Sequence, residues 1–238
     1  MTIIFVGPPF GNYFPSTTLF DSNNYNFRKI AGSFTLFPRK GLISQIFKTL
    51  HYSNKHNGWV NKIGLRNPGI DYAIKKYKDT NTIVSVAILD PSEVKILEQK
   101  IPKNMNIEIN ISCPNIDKQC VDNDIHIFLN SERKWCILKL SPLVTSSQID
   151  NYYKNGWRQF HCSNTIPVEN GGLSGKSIIP YTNKSINYIS NTYPDALIIA
   201  GGGITNIEDI NNYNAYGASH YSISTLLFNP FKFSLFLK

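Results

Sequence analysis

Ala196-Leu197-Ile198-Ile199-Ala200 runs directly into Gly201-Gly202-Gly203-Ile204. A short apolar run ended by glycines reads as a buried strand meeting a tight turn. Glycines there let the backbone take conformations closed to other residues and approach a ligand closely. By itself a triple glycine is more often an ordinary loop than a site. Its place in the chain decides the matter, because it follows the seventh of eight candidate strands. In an open dinucleotide-binding sheet the glycine-rich turn follows the first strand. In a (β/α)8 barrel the loops after strands 7 and 8 commonly hold phosphate. The barrel is therefore preferred over the doubly wound open sheet.

Working outward, the other candidate strands are residues 3–6, 29–35, 82–88, 106–112, 135–140, 157–162 and 219–223. Helical spacing falls between most of them, over 69–78, 91–100, 145–153, within 177–192, and over 207–213. A weaker, short helix is expected around 122–130. Asp90 is expected as an N-cap with Pro91 in the first turn. Strands alternating with helices imply parallel pairing. The expectation is an α/β fold, a (β/α)8 TIM barrel formed as one domain over residues 1–238. It is expected to be shortened at both termini, since little precedes the first strand and only Asn229–Lys238 follows the last. The final helix must then be short or absent.

Composition narrows the function classes. Hydrophobic residues are 42% of 238, which excludes wholesale disorder. The net charge of +8 attracts anions. However, 27 Asn stand against 7 Ala, a bias that also inflates Lys, and no run of five like charges occurs. The charge thus does not point to nucleic acid. Cys113, Cys120, Cys136 and Cys162 contain no C-x-x-C pair, so no metal site is expected. No apolar run approaches the roughly 20 residues of a membrane span. A soluble, reducing, cytoplasmic setting with free thiols is expected, with no membrane partner.

The candidate strand ends carry polar or glycine-rich groups. They read Asn110-Ile111-Ser112-Cys113-Pro114-Asn115, Lys139-Leu140-Ser141-Pro142, Cys162-Ser163-Asn164-Thr165, then Gly171-Gly172-Leu173-Ser174-Gly175, the glycine turn, and Ser224-Thr225. Upstream stand Thr35-Leu36-Phe37-Pro38-Arg39-Lys40-Gly41 and Asn61-Lys62-Ile63-Gly64-Leu65-Arg66-Asn67-Pro68-Gly69. In this order, these segments resemble the dihydroorotate dehydrogenase family of flavin barrels, most closely its soluble type with a cysteine base. The matches run from about residue 33 to 225.

The resemblance implies an FMN-dependent oxidation of dihydroorotate to orotate, a step of pyrimidine biosynthesis. Cys113 would remove the C5 proton as general base while hydride leaves C6 for flavin N5. A thiolate suits this if its pKa lies near neutrality. Lys139, inside an apolar strand after Ile137 and Leu138, would stabilise negative charge on the flavin. Asn61, Asn110, Asn115 and Asn164 would hold the orotate ring, since an amide both donates and accepts. Gly64, Leu65 and Thr165 adjoin them. Ser174, Gly175, Gly202, Gly203, Ser224 and Thr225 would hold the ribityl chain and phosphate. Cys120, Cys136 and Cys162 match no base position. A homodimer stays open.

Two departures stand out. Soluble members carry a Lys where Gly32 stands, and the membrane-associated class supplies one from the first loop, where Gly7–Asn12 holds none; the second departure is the expected shortness at both ends. Two other readings compete. A tRNA dihydrouridine synthase-like flavoenzyme fits the positive charge but matches the asparagine set less well. A degenerate barrel that binds FMN without turnover fits the departures.

Overall fold

The alternation of apolar strands and amphipathic helices closes on itself. A computed structural model of the chain describes residues 1–14, 20–22, 24–78, 81–111 and 124–237. Among these, the strands are β1 (Thr2–Val6), β2 (Tyr25–Phe34), β3 (His51–Ser53), β4 (Gly58–Asn61), β5 (Ile83–Ala87), β6 (Ile107–Asn110), β7 (Cys136–Lys139), β8 (Gln159–Cys162), β9 (Ile166–Val168), β10 (Gly171–Ser174), β11 (Leu197–Gly201) and β12 (His220–Ile223). The helices are α1 (Leu42–Thr49), α2 (Ile70–Tyr77), α3 (Glu93–Lys100), α4 (Ser146–Lys154), α5 (Ile179–Thr192), α6 (Ile207–Ala215) and α7 (Pro230–Phe236).

Eight parallel strands form a closed barrel in the order β1-β12-β11-β8-β7-β6-β5-β2. This is the (β/α)8 barrel expected from the glycine turn, and each of the eight candidate strands contributes one stave. The helix expected at 122–130 is a 3-10 turn over Ile125–Phe128 among the described residues, and the terminal α7 has seven residues. No helix of the described residues is long and apolar enough to cross a membrane.

Two apolar clusters result from the alternation of side chains along each strand. Ile4, Val84, Ile107, Leu138, Phe160 and Ile198 face outward and pack under the helices. Phe5, Ile30, Ile83, Trp135, Ile137 and Ile199 face inward and plug the lower barrel. Above this plug the inward positions turn polar: Ser85, Glu108, Asn110, His161 and Ser222 are all buried. The barrel thus has an apolar floor and a polar ceiling, and the ceiling lies at the strands' C-terminal ends.

Three local features depart from the sequence expectations. A small antiparallel sheet, β3-β4-β10-β9, lies outside the barrel sheet and joins two distant loops. Its strands are three or four residues long, too short to show an alternation, and β10 opens on two glycines. Helix α1 buries no residue and starts from Gly41 with no side-chain cap, so it lacks both the start signal and a core-facing stripe. At α3 the cap lies later than expected. Asp90 Oδ1 accepts from Ser92 N at 2.9 Å and Asp90 O from Glu93 N at 3.0 Å, making a turn ahead of a helix that begins at Glu93. By contrast α4 opens on a full capping box, with Thr145 and Gln148 each bonded to the other's backbone N–H.

Candidate active site

Parallel strands point their C-terminal ends the same way, so the loops that follow them converge on one cleft. It is lined by Lys139 and His161 from β7 and β8, by Ser163, Asn164 and Thr165 just after β8, and by Ser174 and Gly175 after the small sheet. Gly201, Gly202 and Gly203 form one wall, Ser222, Ser224 and Thr225 another, and Gly7 and Pro8 close the side. The cleft holds about 580 Å³ of non-protein space, its solvent mouth included.

A continuous polar chain crosses the ceiling of the barrel. Asn164 Nδ2 donates to Asn110 Oδ1 at 3.2 Å, and Asn110 Nδ2 donates to Ser33 Oγ at 2.9 Å. Ser33 Oγ and Ser85 Oγ share a hydrogen bond of 2.8 Å, and Ser85 Oγ donates to Glu108 Oε1 at 2.8 Å. Glu108 Oε2 lies 2.6 Å from His161 Nδ1, and Lys139 Nζ lies 3.8 Å from Glu108 Oε1. A buried carboxylate survives only when paired and hydrogen-bonded. Burial pushes the Glu108 carboxyl up. The Lys139 ammonium, His161 and the Ser85 hydroxyl outweigh it and hold it down at about 2. Burial, then the nearby Lys139 charge, lowers the His161 pKa, so its imidazole is neutral at pH 7, against the pull of Glu108.

The glycine turn closes against the loop after β10. Gly203 has φ of +75°, and a Cβ there would stand 2.9 Å from Lys176 Cα and 3.0 Å from Gly175 O. Only glycine allows these two segments to meet. The carbonyls of Gly201 and Gly202 accept from Thr182 Oγ1 at 3.2 Å and the Tyr213 hydroxyl at 2.6 Å. Two acceptors that would repel an anion are therefore engaged elsewhere. Ser224 and Thr225 stand across the cleft at the start of a 3-10 turn, Thr225–Phe228. Bare backbone and hydroxyls facing one another make a cradle of the kind that binds phosphate without a lysine.

The structure gathers most of the residues singled out in the sequence. Lys139, Asn164, Thr165, Ser174, Gly175, Gly202, Gly203, Ser224 and Thr225 share the cleft, and Asn110 touches it through Asn164. Asn61 lies on β4, paired with Gly172, and is not among the lining residues. A Cβ on Gly172 would meet Thr165 Oγ1 at 2.5 Å, so the ladder partner of Asn61 lies against Thr165. Gly64 and Leu65 lie in the next loop, where their carbonyls accept from Arg39 Nε at 3.2 Å and Asn67 Nδ2 at 2.7 Å. Cys113, Asn115 and Cys120 lie outside the described residues. Cys136 and Cys162 are free and buried, and burial pushes both thiols up to about 12. Neither is a thiolate at neutral pH.

Glu108, His161, Ser85 and Ser33 were not singled out in the sequence. The available signal was the inward register of Glu108 with Asn110, a charge at alternate spacing on an otherwise apolar strand. Gly32 proves to be a constrained position. Its φ is +129°, a Cβ would stand 2.5 Å from Ser85 O, and Asn12 Oδ1 accepts from its N–H at 2.8 Å. A lysine cannot be accommodated there without moving β5.

Comparison with known proteins agrees with this architecture. The chain is 29% identical over 214 residues to dihydroorotate dehydrogenase B (NAD(+)), catalytic subunit, of Malacoplasma penetrans, covering 74% of this chain and 68% of that one. It is 28% identical over 217 residues to the protein of that name from Staphylococcus carnosus, covering 77% and 71%. The chain is thus similar in sequence to dihydroorotate dehydrogenase catalytic subunits. A crystal structure of DHODH from Eimeria tenella, in complex with ferulenol, superposes on 98% of this chain with a TM-score of 0.73 and 16% identity, covering 77% of that structure. At that identity the superposition speaks for the fold. No family model matches the chain.

Proposed function

We propose that the chain is an FMN-dependent oxidoreductase that converts dihydroorotate to orotate. The observation that carries the reading is the meeting, in one cleft, of a nearly buried cation with a glycine-and-hydroxyl cradle. Lys139 is 12% exposed and reaches the cleft from β7, while Gly203, Gly175, Ser224 and Thr225 lie along its walls. These residues fit a flavin mononucleotide, which carries a dianionic phosphate at one end and a ring that gains negative charge at the other. When bound, FMN would supply the hydride acceptor.

The chain's own residues take the remaining tasks. The glycine amides with Ser224 and Thr225 would hold the phosphate, and Ser174 with Gly175 would hold the ribityl chain. Lys139, 3.8 Å from Glu108, would offset negative charge on the ring. Asn110 and Asn164 are already linked by a hydrogen bond, so their amide planes are oriented before substrate arrives. With Asn61 and Asn115 they would match the imide and amide edge of the substrate. Cys113 would accept the C5 proton through its thiolate, a role resting on its place in the Asn110–Asn115 motif. Pyrimidine biosynthesis is the pathway this reaction serves.

The test is spectroscopic. The purified protein is expected to take up FMN stoichiometrically, and anaerobic dihydroorotate is expected to bleach the bound flavin. A protein that takes up no FMN sinks the reading. Uptake without bleaching by dihydroorotate leaves a flavin barrel and removes the substrate.

A further inference from the structure

The most deeply buried titratable group lining the cleft has no part in the reaction as described. His161 is 2% exposed and lines the cleft beside Lys139. Glu108 is ionised and can only accept, so Nδ1 of His161 carries the ring proton and Nε2 presents a lone pair. Among the described residues Nε2 has no hydrogen-bond partner. It lies against Gly201, where a Cβ would approach it to 2.7 Å. One half of the imidazole is thus locked, and the other is bare at the foot of the glycine turn.

The charges around it are few. Glu108 faces it from β6 and Lys139 from β7. Ser85 on β5, Gly201 on β11 and Ser222 on β12 carry none. Lys139 and Glu108 cancel formally, so the pocket has no surplus cation while His161 is neutral. A negative charge arriving on a ligand here, in a site of low dielectric, favours entry of a proton. The bare Nε2 is the group placed to receive it.

We propose that His161 balances charge in this cleft: it takes up one proton from solvent at Nε2 when reduction leaves a negative charge on the bound ring, and returns it on reoxidation. This rests on the FMN reading. The balance is simple. Hydride transfer delivers two electrons and one proton to the ring. His161 adds a second proton from solvent, forming an N–H bond and breaking none within the protein. The net uptake is two protons per two electrons instead of one.

The test is the midpoint potential of the FMN-loaded protein measured from about pH 6.5 to 8.5, alongside histidine ring NMR of the oxidised and reduced forms. Two protons per two electrons shift the equilibrium about a hundredfold per pH unit, about 59 mV, whereas one proton gives tenfold, about 30 mV. The wild-type protein is expected to show the steeper slope and His161→Gln the shallower. In wild type the His161 resonances are expected to move to imidazolium positions on reduction, a readout that needs no variant. A shallow wild-type slope, an unchanged slope in His161→Gln, or a neutral His161 ring in the reduced protein each overturns the proposal while leaving the FMN reading intact. Failure to take up FMN overturns both.

Discussion

At the scale of single residues, chemistry separates cysteines that composition treats alike. Cys136 and Cys162 are sealed in apolar surroundings with thiols at about 12, so neither can serve as a base at neutral pH. Cys113→Ala is expected to leave FMN bound and to slow anaerobic reduction by dihydroorotate by on the order of 10² to 10⁴. Cys162→Ala is expected to leave that rate within a few-fold; stopped-flow traces showing equal losses would assign both to packing. The buried network has its own signature in acid. His161 has a lowered pKa when folded, so the unfolded chain binds a proton that the native chain refuses, and stability falls as pH drops below about 6.5. Glu108 has a depressed pKa, so its contribution is present above about 4.5 and lost as pH falls toward about 2. His161→Gln keeps a donor for Glu108 and removes the first of these. Its melting temperature is expected to fall less than wild type between pH 7 and 5; parallel curves would show that His161 is not the group responsible. Lys139 was legible in the sequence because a lysine inside an apolar run is conspicuous. Glu108 and His161 were not, because burial of a polar residue depends on strand register and on partners 23 to 53 residues away.

At the scale of elements, the barrel strands were legible because most are short apolar runs bounded by a turn or helix signal, β8 with Gln-Phe-His-Cys being the least regular. The small sheet was not, since β10 reads Gly-Gly-Leu-Ser and exists only because β4 and β9 flank it. That sheet matters to the site, for it carries Ser174 and Gly175 to the glycine turn after β11. The junction is tight enough to test. Gly203→Ala would place a methyl 2.9 Å from Lys176 Cα and Ile179 Cγ1, at a φ that disfavours any side chain. Overpacking of this kind costs about 1–3 kcal/mol. FMN affinity is expected to drop by about tenfold or more while the far-ultraviolet circular dichroism is retained. Unchanged affinity by fluorescence titration would move the phosphate away from this turn. The same reasoning removes Gly32→Lys as a route to stronger substrate binding. The β2 backbone at Gly32 sits against Ser85 O, and the added side chain is expected to unsettle the barrel before it reaches any ligand.

At the scale of the whole molecule, the cleft is assembled from the full length of the chain. Gly7 and Pro8 follow the first strand and Ser224 and Thr225 the last, joined by the Ser224 Oγ donation to Pro8 O at 2.8 Å. β1 and β12 are neighbours in the closed barrel, so the ring of strands is sealed where the cradle stands. Residues from five barrel-strand ends and the small sheet meet only when that ring is complete. A ligand held there binds the folded chain and has no counterpart in the unfolded one. Mass action then sets the gain: at a hundred times its Kd, a ligand adds about 2.7 kcal/mol. For a chain of this length each kcal/mol is worth about 2–4 °C. FMN at that excess is therefore expected to raise the melting temperature by about 5–10 °C. Riboflavin has the same ring and ribityl chain without the phosphate. If the glycine and hydroxyl cradle holds the phosphate, riboflavin at the same concentration is expected to raise the melting temperature far less, and Ser224→Ala with Thr225→Ala is expected to erase most of the difference between the two ligands. Equal stabilisation by FMN and riboflavin in the unaltered protein would show that the cradle does not bind phosphate, whatever the ring does.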